Sequence, residues 1–416
     1  MKTTRRELIK TAGAGALGAT LLPAIATAQA PGVLGGKAYD VAVVGAGVFG
    51  AWIADRLAQA GRRVVLLDAY GPGNARSSSG GQTRVIRMGY GDQEIYTRWS
   101  MRSLELWKGL IGHAGRAFFQ PTGVLWMARG EDPLTTTTVA TLQRLGVRHE
   151  RLDRSQLDRR WPQVDFGPNT WAIHEPQSGI LMAFHSVQAV VQASIEKGVE
   201  YLQEAVLPPE GKGRLGSVET RSGKTVRAGT FVFACGPWLP KVFPDLLGER
   251  IFSTRQEVFY FGPPPGDERF RSPAMPVWVD FAEEIYGVPD VRGRGFKVAP
   301  DRHGPAFDPD TGGRVVTPET LATVRDFVAR RFPGLRDAPL VGSEVCQYEN
   351  TSNGDFLIDR HPERDNVWLV GGGSGHGFKH GPAVGEYVAA RILKGGEVET
   401  RFSLATKQKV QKRAVF

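Results

Sequence analysis

Tyr39-Asp40-Val41-Ala42-Val43-Val44 runs directly into Gly45-Ala46-Gly47-Val48-Phe49-Gly50, and the reading of this stretch decides the fold. The first six residues predict a buried parallel strand, and the glycines predict a tight turn that opens a helix. Ala51–Ala60 continues that helix with apolar positions at helical spacing, and Arg63-Val64-Val65-Leu66-Leu67 predicts a second strand ending at Asp68. In such a unit Gly45 allows the turn, Gly47 lets backbone approach a pyrophosphate, and Gly50 lets helix pack on strand. The helix N-terminus offers N–H groups and the positive end of a dipole to phosphate. Asp68, at the end of the second strand, is placed to accept ribose hydroxyls, and its charge disfavours a 2′-phosphate. A purely structural βαβ unit is the competing reading.

The rest of the chain agrees with an α/β class. It has 416 residues, 41% hydrophobic and 23% charged, with 52 glycines and 27 prolines. That is ample material for a core of two domains or of one domain with a cap, and it excludes disorder, collagen and coiled coil. No stretch approaches the roughly 18 uninterrupted apolar residues of a membrane span. The net charge is +9, yet the basic residues lack the aromatic interleaving of a nucleic-acid surface, and part of the excess lies in the tail around Lys407 and Lys409. No nucleic-acid partner is expected. His376 and His380 have metal-like spacing, but glycines surround them and no third ligand is evident, so no metal site is read.

Residues 1–28 read as an address. Thr4-Arg5-Arg6-Glu7-Leu8-Ile9-Lys10 sets paired arginines before a weakly apolar Ala- and Gly-rich stretch, and Ala26-Thr27-Ala28 offers small residues to a signal peptidase. This pattern suits a twin-arginine signal peptide. The expectation is cleavage near Ala28, export of the folded protein by the Tat machinery to the periplasm or beyond, and no stable membrane insertion afterwards. An incidental arginine pair is the alternative.

A distant segment, Thr230-Phe231-Val232-Phe233-Ala234-Cys235-Gly236-Pro237-Trp238, resembles the strand that returns beside the adenosine half in flavoproteins, which favours FAD over NAD. Further motifs are Gly81-Gln82-Thr83-Arg84-Val85-Ile86-Arg87, Phe296-Lys297, Cys346-Gln347-Tyr348 and Gly375-His376-Gly377-Phe378-Lys379. With the fingerprint they resemble the monomeric sarcosine oxidase and N-methyltryptophan oxidase family, from about Tyr39 to Phe402.

That resemblance implies a Rossmann-like FAD-binding domain interleaved with a sheet-rich α+β substrate domain. The expected division is 37–110, 180–250 and 335–416 for the FAD-binding domain, and 111–179 and 251–334 for the substrate domain. It implies that Cys346 is bonded through sulfur to the flavin, with an ordinary thiol or a disulfide to Cys235 as alternatives. It implies that Lys297 stands over the flavin and assists oxygen reduction, while Arg84 favours negative charge on the ring. Arg87 and Lys379 would grip a substrate carboxylate, because two cations from distant segments need an anion between them. Tyr286 and Tyr348 would shelter the amine. Cofactor contacts are expected from Gly45, Gly47, Gly50, Asp68, Thr83, Arg84, Gly236, Cys346, Gly373, Gly375, Gly377 and Lys379.

The implied reaction is oxidation of a secondary or N-substituted α-amino acid, with O2 reduced to H2O2. A dehydrogenase passing electrons to a quinone or cytochrome, and a flavin-carrying protein without turnover, are the rivals. Two departures stand out. Asp301 follows Lys297 by four residues where the family carries histidine, and Ser77-Ser78-Ser79-Gly80 replaces a histidine-bearing segment.

Overall fold

Alternation along the fingerprint strand builds the core. In the computed structural model, which describes residues 38–112, 115 and 117–411, Val41 and Val43 point to one side of a sheet and Ala42 and Val44 to the other. The two pairs belong to different hydrophobic clusters. The same split separates Val64 and Leu66 from Val65 and Leu67. A strand apolar on both faces must be covered on both. Helices Val48–Gln59, Ala183–Glu196 and Gly381–Lys394 contribute to the cluster on one face. Leu239, Phe243 and Leu247, from the short helical turns after the returning strand, contribute to the other.

Among the described residues this sheet has seven strands. Tyr39–Val44 pairs in parallel with Val64–Leu67 on one side and with Thr225–Phe233 on the other. Thr225–Phe233 in turn pairs in parallel with Arg364–Gly371. The fingerprint and the helix therefore lie where the sequence placed them, while the returning strand, read as Thr230–Trp238, starts earlier, at Thr225, and ends at Phe233 before a helical turn at Gly236–Trp238. The doubly wound α/β class is that of the structure.

A second sheet, of eight strands among the described residues, is mixed and runs Leu340–Thr351, Ile251–Phe261, Phe296–Pro300, Ile285–Val288, Val277–Asp280, Val124–Ala128, Trp171–Glu175, Glu150–Asp153. Its buried side packs Trp278, Phe296, Phe327 and Phe332 into one aromatic cluster under helix Pro318–Arg331. A small sheet joins Thr83–Ile86, Gly179–Met182 and Phe119–Gln120.

Leu340–Thr351, assigned above to the FAD-binding part that begins at 335, pairs along its length with Ile251–Phe261 and forms the edge of the eight-stranded sheet. Antiparallel pairing over eleven residues outweighs chain proximity, so this strand carries Cys346 and Tyr348 at the edge of the eight-stranded sheet. The signal-peptide reading falls on residues 1–28, outside the described residues.

Candidate functional site

The ends of the parallel strands open onto a cavity of about 540 Å³. Its wall is drawn from the glycine turn, Asp68, Ala234–Trp238 and the loop Gly373–Gly377, the position where open α/β sheets bind ligands. Gly45 sits at φ +105°, and a Cβ there would lie 2.3 Å from the Ala234 carbonyl oxygen. Gly50 lies behind the turn, where a Cβ would fall 1.8 Å from the Gly45 oxygen. Both glycines are thus required by close backbone approach.

Gly47 precedes the helix without a side-chain cap of its own, and the Ser79 hydroxyl accepts from the Val48 N–H at 3.1 Å instead. Asp68 accepts from Ala46 N–H at 2.7 Å and from Tyr70 and Gly71 N–H at 2.8 Å. Its carboxylate therefore ties the glycine turn to the second strand while lining the cavity. Burial raises its pKa against those donors.

A smaller cavity of about 70 Å³ adjoins the first, and Arg84, Tyr348, Gly375 and Phe378 line both. Arg87, Lys379 and Tyr286 line the smaller one, with Trp126 and Phe281. Arg87 and Lys379 are 7% and 4% exposed. The Arg87 guanidinium lies 4.1 Å from the Tyr90 ring centre and 4.7 Å from that of Trp126, and it donates to the Gly89 carbonyl. The Lys379 ammonium donates to the Tyr90 hydroxyl and the His376 carbonyl, each at 2.9 Å. Burial, and then the neighbouring Arg87, press the Lys379 pKa well below its usual value. Two desolvated cations side by side are the electrostatic signature of an anion site. Lys379, expected at the cofactor as well, lines the smaller cavity alone of the two; its hold on Tyr90 and His376 draws it there.

Lys297 sits one layer behind these walls. It is 2% exposed, donates to the Thr83 carbonyl at 3.1 Å, and lies 5.5 Å from the Tyr286 ring centre. Burial, followed by the Arg84 charge, lowers its pKa to about 7. Arg84 donates to the same Thr83 carbonyl and to that of Ser78, both at 2.8 Å, and its other contact is the Cys346 sulfur at 3.4 Å. Thr83 thus gathers Lys297 and Arg84 by its backbone rather than by its hydroxyl. Cys346 lines the larger cavity near its junction with the smaller. Cys346 and Cys235 are both free thiols, so the disulfide alternative is not what the fold forms. Gly236, Gly373, Gly375 and Gly377 all line the larger cavity.

Three features were not assigned from sequence. Glu349, one residue past Tyr348, borders the larger cavity with Oε2 lacking a hydrogen-bond partner. Burial pushes it up to about 7, against the backbone N–H groups of Gly373 and Gly372. Asp301 lines the smaller cavity and accepts from the Tyr348 hydroxyl at 2.8 Å. The stretch after Asp301 also reaches the mouth of the larger cavity. There Asp310 accepts from Trp238 Nε1 at 2.7 Å and from Lys241 at 2.6 Å, Arg76 donates to the Asp310 carbonyl at 2.8 Å, and Asp308 pairs with Lys241 at 2.7 Å. Composition marks 302–313 as a loop, but nothing in a glycine- and proline-rich segment says where it docks.

The glycine turn, a helix N-terminus, an acid at the second strand's end and an orphaned carboxyl oxygen together fit a dinucleotide of flavin size. A family model described as FAD dependent oxidoreductase matches residues 40–391. Monomeric sarcosine oxidase of Streptomyces avermitilis is 31% identical over 363 residues, covering 86% of this chain and 94% of its own. N-methyl-L-tryptophan oxidase of Citrobacter koseri is 28% identical over 369 residues, with 86% and 95% covered. The crystal structure of L-proline dehydrogenase from P. horikoshii shares the fold with a TM-score of 0.74 at 23% identity, over 87% of this chain and 95% of that one.

Proposed function

The chain belongs to the family of FAD-dependent oxidoreductases that includes the monomeric sarcosine oxidases, and from that premise we propose that it oxidises a secondary or N-substituted α-amino acid and reduces O2 to H2O2. The bound flavin would supply a two-electron acceptor for the C–H beside the amine nitrogen. The observation that carries this reading is the pair Arg87 and Lys379 in a small, aromatic-walled cavity that opens onto the dinucleotide cavity beside a thiol.

In this reading Arg87 and Lys379 hold the substrate carboxylate, the guanidinium by two parallel N–H donors and the ammonium as a point charge. Trp126, Tyr286 and Phe281 exclude water, so each remaining charge acts at low dielectric. Tyr286 and Tyr348 present ring faces and hydroxyls to the amine. Cys346 is the proposed attachment atom, through a thioether that would fix the ring system at the junction of the cavities. Gly45, Gly47, Asp68, Gly236 and Gly373 to Gly377 would hold the remainder of the dinucleotide. Lys297 supplies the preorganised positive charge that favours electron transfer to oxygen, and Arg84 stabilises negative charge beside Cys346. Export by the Tat route and a periplasmic location belong to the same proposal, resting on Arg5-Arg6 and Ala26-Thr27-Ala28 alone.

The test is a screen for peroxide release from sarcosine, other N-methyl amino acids, proline, pipecolate and fructosyl amino acids. One H2O2 per imine formed is expected from at least one class. Flavin bleaching by substrate with electrons passing to a quinone, and no peroxide, would make the protein a dehydrogenase. No bleaching by any of these would leave it without the proposed turnover.

A further inference from the structure

The charges around the smaller cavity are mixed: Arg84, Arg87 and Lys379 line it together with Asp301. Arg87 and Lys379 attract an anion, but Asp301 lines the same cavity and repels one. Its position is fixed from two sides. The backbone N–H of Asp301 donates to the Glu284 carbonyl at 2.7 Å just beyond strand Phe296–Pro300, and the Tyr348 hydroxyl donates to Oδ1 at 2.8 Å from the neighbouring part of the sheet. The Asp301 charge also reaches Lys379, whose protonation it favours against Arg87. A carboxylate kept against an anion site costs affinity for every monoanion, so its complement is a ligand with a positive end.

We propose that Asp301 is the amine-recognition group of the smaller cavity, accepting N–H from the substrate nitrogen while Arg87 and Lys379 take its carboxylate. This rests on the function proposed above and narrows it: the cavity selects small zwitterionic amino acids whose nitrogen keeps at least one hydrogen. Secondary amines are favoured over tertiary ones, and nitrogen-free acids are poor ligands. The Asp301–Tyr348 bond makes Tyr348 a positioning residue for the carboxylate, in addition to a wall.

Two isosteric ligands that offer no oxidisable C–H beside nitrogen separate the two ends. They are 2-aminoisobutyrate, a zwitterion, and pivalate, in which a methyl group replaces the ammonium. Each is titrated into the full-length FAD-loaded protein, with binding read from the shift of the flavin absorption bands. The wild type should bind 2-aminoisobutyrate in preference to pivalate. Asp301→Asn should raise the Kd of 2-aminoisobutyrate at least tenfold and leave that of pivalate equal or lower. Equal changes for both ligands, or an unchanged Kd for 2-aminoisobutyrate, would overturn the assignment. Arg87→Met should weaken both; if it weakens neither, the carboxylate clamp itself is wrong, and that failure is distinct from Asp301's. Should Asp301→Asn yield no loaded protein, Tyr348→Phe serves instead. It should narrow the ratio of the two affinities severalfold, and an unchanged ratio refutes the proposal.

Discussion

Replacing Lys297 by methionine should move stability and oxygen reactivity in opposite directions. Burial brings the lysine from 10.5 to about 7, and at 1.36 kcal/mol per pH unit this corresponds to about 5 kcal/mol borne by the native state to keep the ammonium. Between pH 7 and 10.5 the unfolded chain binds more protons at this site than the native one, so stability gained from this residue rises with pH across that window. Lys297→Met removes the cost while filling much the same volume. The flavin-loaded variant should therefore unfold at a higher temperature than wild type at pH 7, and the difference should shrink towards pH 10.5.

Oxygen reactivity should fall instead. Removing one preorganised charge or donor of this kind typically costs about 10²–10³-fold in rate. Stopped-flow reoxidation of substrate-reduced protein measures the rate constant directly. In wild type it should drop about tenfold per pH unit once pH exceeds the Lys297 midpoint, at or above about 7 in the loaded protein. In Lys297→Met it should be low and flat. A variant that reoxidises at the wild-type rate, or one whose stability falls together with its reactivity, would exclude this role for Lys297.

Cys346→Ala should release its flavin into the supernatant on acid precipitation, whereas wild-type pellets stay yellow; a colourless wild-type pellet refutes the linkage. Gly50→Ala places a methyl 1.8 Å from the Gly45 oxygen and should yield flavin-free or insoluble protein, checked by the absorbance ratio of the purified chain. Glu349, raised by burial from 4.5 to about 7, contributes stability that is intact below pH 4.5 and lost as pH rises through 7. Glu349→Gln should therefore raise Tm at pH 8 and change it little at pH 5, and an equal change at both values would exclude ionisation as the cause.

Local periodicity made the cofactor half readable. Tyr39–Val44, the glycine turn and the helix after it each carry their pattern within about a dozen residues and stand where the pattern put them, and of the expected strand Thr230–Trp238 the part to Phe233 is a strand. The site was readable only as types of residue. Lys297 and Arg84 meet at one backbone carbonyl, 214 residues from the lysine, and no local pattern encodes that meeting. Asp301 announced itself as an anomaly, but its partner Tyr348 lies 47 residues on, so its role needed the register of the sheet. The pairing of Leu340–Thr351 was hidden for the same reason: its partner is a strand that ended 79 residues earlier.

Asp310, Trp238 and Lys241 belong both to the clasp that holds 302–313 in place and to the rim of the larger cavity. Because the same side chains serve both, whatever free energy a bound ligand draws from their placement is returned in full to the anchoring of the segment. A protease cutting within this segment would then serve as a gauge of cofactor loading, and weakening the clasp at Lys241 should make a Cys346→Ala protein give up its flavin more readily.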